Sequence, residues 1–159
     1  MKTAVYAGSF DPITSGHFDI LKSSTELFDK VIIAVAHNPE KKCLLSTEER
    51  IELIKECTQC LNGIEVLSFD GLTVDFAKQH NAKFLIRGLR NSADFEYENN
   101  LAQINLKLNK YIQTVFLTSK PEYSFISSSA VRELLYHKCD LSDFVPKTVA
   151  EYLYKKFNY

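Results

Sequence analysis

Apolar runs and amphipathic stretches alternate along this chain. Thr3-Ala4-Val5-Tyr6-Ala7 precedes a stretch in which Phe18, Leu21 and Phe28 fall at i, i+3 and i+10. Val31-Ile32-Ile33-Ala34-Val35-Ala36 is a continuous β-rich run, the pattern of a strand covered on both faces. Ile64 to Phe69, Phe84-Leu85-Ile86 and Thr114 to Leu117 predict three more strands. Between them, Ser46-Thr47-Glu48-Glu49 is a capping box opening a helix through Ile51 and Ile54. Val74 to Lys78 starts a short helix, and Phe95 to Leu108 a longer one with Leu101, Ile104 and Leu108 on one stripe. A further helix carries Ala130, Val131, Leu134 and Leu135. Pro146 fits the first turn of a last one bearing Val149, Tyr152, Leu153 and Phe157. Alternating β and α elements predict an α/β fold: a doubly wound, five-stranded parallel sheet with right-handed crossovers. The expectation is a single domain over 1–159, with the C-terminal helical segment, about 128–159, packed on it.

Composition narrows the function classes. At 159 residues and 45% apolar, the chain can bury a core without disulfides. A net charge of −1 lacks the basic footprint of a nucleic-acid binder. No apolar run reaches membrane-spanning length and no signal-peptide core opens the chain, so a cytoplasmic protein is expected. Cys57-Thr58-Gln59-Cys60 has redox or zinc spacing, but no second pair completes a four-ligand site. The pair also ends a helical pattern, where no macrodipole depresses a thiol pKa. Cys43, Cys57, Cys60 and Cys139 are expected to be reduced.

The polar residues with chemical potential gather where strands end. In open parallel sheets, ligands bind beyond the carboxyl ends of the strands, where the strand order reverses. Gly8-Ser9-Phe10-Asp11-Pro12-Ile13-Thr14-Ser15-Gly16-His17 joins the first strand to the first helix and delivers His17 to a helix start, a natural anion site. His17 reads either as a capping or packing residue or as a phosphate contact, charged or neutral near pH 7. Thr14 faces the same loop interior. Lys41 follows the second strand and Thr73 the third. Lys41 reads as a mobile cation over a pocket, or with Lys42 as a solvated pair. Arg87 and Arg90 frame Gly88 after the fourth strand, and their forked donors match phosphate. Asp94, Glu96 and Glu98 follow and compete as carboxylate partners for the arginines. Ser127-Ser128-Ser129 opens a helix without a capping-box carboxylate, leaving either an anion site or an ordinary serine cap. With no P-loop and no GxGxxG, nucleotidyl transfer is favoured over kinase or dehydrogenase chemistry.

These residues resemble the nucleotidyltransferase superfamily named for its H-x-G-H motif, here Thr14-Ser15-Gly16-His17. Together with Ile86-Arg87-Gly88-Leu89-Arg90, Asp94-Phe95-Glu96-Tyr97-Glu98 and Tyr123-Ser124-Phe125-Ile126-Ser127-Ser128-Ser129, they are similar to the bacterial phosphopantetheine adenylyltransferase family over essentially the whole chain. Ser9 stands where that family often has threonine, and Tyr123 where tryptophan is frequent. The resemblance implies a Rossmann-like domain that transfers AMP from ATP to 4′-phosphopantetheine, giving dephospho-coenzyme A and pyrophosphate. It implies His17, Lys41 and Arg90 as catalytic, with His17 stabilising the transition state. Ser9, Lys41, Thr73 and Arg87 would bind the acceptor. Ser9, Phe10, His17, Gly88, Leu89, Arg90, Glu98, Tyr123, Ser124, Phe125, Ile126, Ser127, Ser128 and Ser129 would bind ATP. It further implies Mg2+ carried with ATP rather than on a protein metal site, a homohexamer, and coenzyme A as a feedback inhibitor. Two alternatives stand beside it: another adenylyl- or cytidylyltransferase, such as one for nicotinate mononucleotide, and a nucleotide-binding regulatory module without turnover.

Overall fold

Strand alternation sorts the apolar residues onto two faces of one sheet. The computed structural model describes residues 1–37 and 42–159. Its strands are β1 (Thr3–Gly8), β2 (Lys30–Ala36), β3 (Ile64–Phe69), β4 (Phe84–Leu89) and β5 (Gln113–Thr118). All pair in parallel, in the order β3-β2-β1-β4-β5. Ala4, Tyr6, Val31, Ile33, Val35 and Ile86 join the larger core, while Val5, Ala7, Ile32, Ala34 and Leu85 join the smaller one. The helices are α1 (Ser15–Leu27), α2 (Thr47–Thr58), α3 (Thr73–Gln79), α4 (Ser92–Leu108), α5 (Ser128–Tyr136) and α6 (Lys147–Lys156). Residues of α1, α2, α5 and α6 complete the larger core, and Val74, Phe76 and Ala77 of α3 the smaller.

Several elements depart from the sequence reading. β4 continues through Arg87, Gly88 and Leu89, which pair with Phe116, Leu117 and Thr118. Arg87 therefore lies within the strand rather than after it, because a partner strand satisfies its backbone. The buried stripe of α1 runs through Gly16, Ile20, Leu21 and Ser24 rather than Phe18. Pro146 is the cap of α6, one residue ahead of its first turn. Elsewhere, the Ser46–Glu49 capping box forms as expected, and Tyr152 and Lys156 of α6 both reach the Glu49 carboxylate. α4 starts at Ser92, earlier than expected, because the Asn91 side chain accepts from the Asp94 N–H. It buries none of its residues, and Ile104 and Leu108 are each 55% exposed.

Candidate active site

The strand order reverses at β1: the chain steps outward through β2 and β3, then crosses to β4 on β1's other side. A cleft of about 310 Å³ opens there, at the carboxyl ends of β1 and β4. The loop after β1 supplies Ser9, Phe10 and Thr14, and the start of α1 supplies Gly16 and His17. β4 supplies Arg87, Gly88 and Leu89, followed by Arg90. Ser119 and the start of α5, Ile126 through Ser129, complete most of the lining.

The loop is shaped by what grips it. Phe10 has φ +48°, a left-handed conformation rare for a side chain of this size. Its ring is buried against Tyr6 and His17, with centroids 5.3 and 5.1 Å away. A Cβ on Gly8 would lie 3.1 Å from that ring, so a side chain there would press on it. Asp11 accepts from the Leu44 and Leu45 N–H groups at 2.7 and 2.9 Å. The buried Arg50 donates to the carbonyls of Ser9 (2.7 Å) and Ala36 (3.0 Å). Arg132 donates to the Asp11 carbonyl at 2.7 Å and to Ser129 Oγ at 3.0 Å. Ser128 Oγ donates to the Pro12 carbonyl at 2.8 Å. The loop after β1 and the start of α5 are thereby joined into one wall.

His17 is neutral. The buried Thr14 caps α1, its Oγ1 accepting from the His17 N–H at 3.3 Å. The Thr14 N–H in turn donates to His17 Nδ1 at 3.1 Å, so imidazole takes the place of the glutamate in a capping box. Nδ1 is thus an acceptor, which assigns the ring proton to Nε2. Burial, and secondarily the positive charge of Arg90, push the ring pKa down to about 4. Of the two protonation states open in the sequence, the fold selects the neutral N–H donor. Thr14 faces the loop interior as a cap, its hydroxyl 3.1 Å from Nδ1.

Both arginines have acidic partners. Glu98 receives Arg87 through Nε and, at 2.6 Å, through Nη2; the Arg87 Nη1 donates to the Ala7 carbonyl at 3.3 Å. Asp94 receives Arg90 at 2.9 and 3.1 Å through Nε and Nη2, while Nη1 reaches the Ile126 carbonyl at 3.5 Å. Two further hollows adjoin the cleft. One is bordered by Ser9, Ala36, Cys43, Phe69 and Thr73, the other by Thr73, Leu85, Glu98, Leu101, Ala102 and Asn105, and Arg87 borders both. Arg87 thus stands as the partition between the main cleft and its side grooves.

Most residues singled out in the sequence converge here, with informative exceptions. Ser127 is an ordinary cap, its Oγ accepting from the Ala130 N–H at 3.0 Å; the Ser128 and Ser129 N–H groups, in the first turn, have no helical partner. Tyr123, Ser124 and Phe125 do not line the cleft. Phe125 is 67% exposed, Ser124 Oγ donates to the Pro121 carbonyl, and Tyr123 packs behind Gly16. Lys41 lies outside the described residues. Thr73 opens α3 and borders the side grooves, apart from the His17 wall. Arg132, Asp11, Arg50 and Asn105 were not singled out as site residues in the sequence. Arg132 had a signal, lying one helical turn beyond Ser128 and Ser129; the others become legible only when the fold is closed. Cys57 sits in the last turn of α2, where burial pushes its thiol up to about 12, and Cys60 is exposed just beyond. Among the described residues, no three His, Cys, Asp or Glu side chains gather as a metal site.

A neutral N–H donor, three guanidinium groups and a helix start around one cleft suit a polyphosphate whose charge grows during reaction. Comparisons with known proteins agree. The cytidylyltransferase-like family matches residues 5–134. A solved structure from Vibrio parahaemolyticus, assigned as a nicotinate-nucleotide adenylyltransferase, superposes with a TM-score of 0.74 over 98% of this chain and 93% of its own. At 16% identity it speaks for the fold alone. Phosphopantetheine adenylyltransferase of Caldanaerobacter subterraneus subsp. tengcongensis is 51% identical over 99% of this chain and 98% of its own. Those of Lachnoclostridium phytofermentans and Haemophilus ducreyi are 47% and 48% identical over 99% and 98% of the chain, and 97% of each relative. The chain belongs to the cytidylyltransferase-like family and, within it, to the phosphopantetheine adenylyltransferases.

Proposed function

We propose that this protein transfers the adenylyl group of ATP to 4′-phosphopantetheine, forming dephospho-coenzyme A and pyrophosphate. The observation that carries the assignment to these residues is the partition. Arg87 stands between a cleft rich in phosphate donors and two side hollows of about 110 and 310 Å³, one of them lined by the apolar Leu85, Leu101 and Ala102. ATP takes the cleft, its phosphates toward His17 Nε2, Arg90, Arg132 and the start of α5. The acceptor phosphate lies at Arg87 and Ser9, with Lys41 added by the family resemblance alone, and its arm runs past Thr73. An acceptor phosphate oxygen then attacks the α-phosphorus in line. The new P–O bond forms as the bond to the bridging oxygen breaks, and pyrophosphate leaves with that electron pair. His17 Nε2–H stabilises charge on the α-phosphoryl oxygens, so no covalent enzyme intermediate is needed.

Magnesium enters with ATP in this proposal. Glu98 is the carboxylate among the described lining residues, and it is committed to Arg87, so the ion's ligands are phosphate oxygens and water. Assembly as a homohexamer is supported by α4, whose Phe95, Tyr97, Ile104 and Leu108 stay exposed on the single chain. Light scattering tests the assembly. Coenzyme A, which contains the product's skeleton, would compete for the same cleft and grooves. A cytoplasmic site suits these soluble substrates, and no helix among the described residues is long and apolar enough to cross a membrane. Pyrophosphate release with 4′-phosphopantetheine, compared with nicotinate mononucleotide and with no acceptor, tests the reaction; relatives at about half identity speak against the nicotinate alternative.

A further inference from the structure

We infer that Arg50 is a positioning residue for the transfer step, acting from behind the cleft through the Ser9–Phe10 peptide. The inference rests on the reaction proposed above. The ladder between β1 and β2 ends at the Gly8–Val35 pair, and Ser9 and Ala36 are the next residues along the two segments. There the segments part, and their carbonyls need a donor other than each other. Arg50 Nη1 donates to both, at 2.7 and 3.0 Å, so one nitrogen closes the fork. Nε donates to the Ser46 carbonyl at 3.3 Å and Nη2 to Thr47 Oγ1 at 2.9 Å, which ties the same rigid plane to the start of α2. Arg50 is 3% exposed and is not among the described residues that line the cleft.

The consequence lies in one peptide plane. The Ser9–Phe10 bond is trans, and in a trans peptide the C=O and the N–H point in opposite directions. With the Ser9 carbonyl drawn back onto Arg50, the Phe10 N–H is turned to the other side, where Ser9, Phe10 and His17 line the cleft. The Phe10 ring packs on the His17 ring at 5.1 Å between centroids, so this amide and the imidazole belong to one wall. An N–H fixed before the substrates arrive stabilises charge growing on a phosphoryl oxygen without reorganising. A flip of the same plane would present a carbonyl there, and carbonyl and phosphate repel. Arg50 opposes that flip by holding the Ser9 oxygen. Stability alone does not call for a buried charge, since apolar replacements of buried ionic groups are often neutral or stabilising. An apolar side chain of equal size would fill the space and leave both carbonyls unpaired.

The test is steady-state kinetics of the intact enzyme with each substrate varied in turn, beside denaturant midpoints, for wild type, Arg50→Ala, Arg50→Lys and Glu49→Ala. Glu49→Ala removes the contacts to the Ser46 N–H, Tyr152 and Lys156, so it loosens the same helix start without touching the Ser9 carbonyl. It is expected to lower the midpoint and keep kcat within about twofold. Arg50→Ala is expected to lower kcat at least about tenfold, with both KM values within about threefold, because the donor it orients acts on the transition state. Added guanidinium ion, which can refill the vacated site, is expected to restore part of that kcat, and urea at the same concentration is not. The lysine ammonium ends one atom short of Nη1, so Arg50→Lys is expected to lose kcat about threefold or more, and this variant carries the test if Arg50→Ala does not fold. Wild-type kcat in Arg50→Lys, or a raised KM for one substrate at unchanged kcat, would overturn the inference. Equal kcat losses in Glu49→Ala and the Arg50 variants would show general loosening and overturn it as well. Wild-type inactivity toward 4′-phosphopantetheine would instead overturn the reaction on which it rests.

Discussion

Replacing His17 with glutamine, across a range of pH, separates a neutral hydrogen-bond donor from a charged one. Glutamine at the third position of a helix is an ordinary capping-box residue. Its carbonyl can accept from the Thr14 N–H as Nδ1 does, so the start of α1 is kept. What is lost is the rigid placement of the donor: the glutamine carboxamide keeps an N–H on a flexible chain where the ring held Nε2–H at the cleft. Complete loss of one oxyanion-type donor lowers kcat about 100- to 1,000-fold, or about 2.7–4 kcal/mol, the limit expected for His17→Ala. Because the ring pKa lies near 4, His17 is neutral throughout pH 5–8.5. The ratio of wild-type to variant kcat/KM should therefore stay constant across that range. Taking the ratio removes the titration of the acceptor's own phosphate, near pH 6. Stability gives a second reading. The unfolded ring binds a proton below about pH 6.5 that the folded ring refuses down to about 4, so stability is full above 6.5 and falls as pH drops through that window. With a part-accessible ring, the loss amounts to about 1–3 kcal/mol by pH 4. Denaturant midpoints at pH 7 and 4.5 should differ less for His17→Gln than for wild type. A wild-type/variant activity ratio that falls tenfold between pH 6 and 8 would mean a charged imidazole does the work, and the reasoning from the Thr14 contact would be wrong.

Other outcomes follow from single contacts. Arg87→Ala should weaken 4′-phosphopantetheine binding by about 1.5–3 kcal/mol, the worth of one charged hydrogen-bond set, with little change for an ATP analogue in calorimetry. Asp11→Ala leaves the Leu44 and Leu45 N–H groups without their acceptor. It should cost about 2–4 kcal/mol of stability, read as a lowered denaturant midpoint. Arg132→Ala removes donors to the Asp11 carbonyl and Ser129 Oγ and a positive charge from the cleft. It should raise KM for ATP about tenfold or more, and recovery by lysine should be partial because the fork is lost. Chelation of divalent ions should stop turnover while far-UV circular dichroism stays unchanged.

The sheet was legible because its strands alternate apolar residues between two cores, and the β-rich run of 31–36 has no helical reading. The site's location was legible too, since ligands in such sheets gather at the strand ends where the order reverses. Its internal chemistry was less so. The state of His17 depends on a backbone N–H three residues earlier and on burial that only the closed loop provides. The partners of Arg87 and Arg90 were foreseen as a class, but which acid takes which arginine depends on where α4 starts, and an asparagine cap sets that. Arg87 belongs to β4 because Phe116, 29 residues on, pairs with it. Tyr123 to Phe125 entered the expected ATP set through the family resemblance alone. A 3-10 turn at Pro121–Tyr123 turns Phe125 outward and sets Ser124 on its own backbone.

The central claim is that one cleft aligns an acceptor phosphate with the α-phosphorus of ATP. Its most direct test is pyrophosphate release by the purified protein with ATP and magnesium, measured with and without 4′-phosphopantetheine, with the product identified by mass. The account predicts release that depends on the acceptor, is matched mole for mole by dephospho-coenzyme A, and falls about a hundredfold or more in His17→Ala. Release without acceptor, or none with it, would contradict the account.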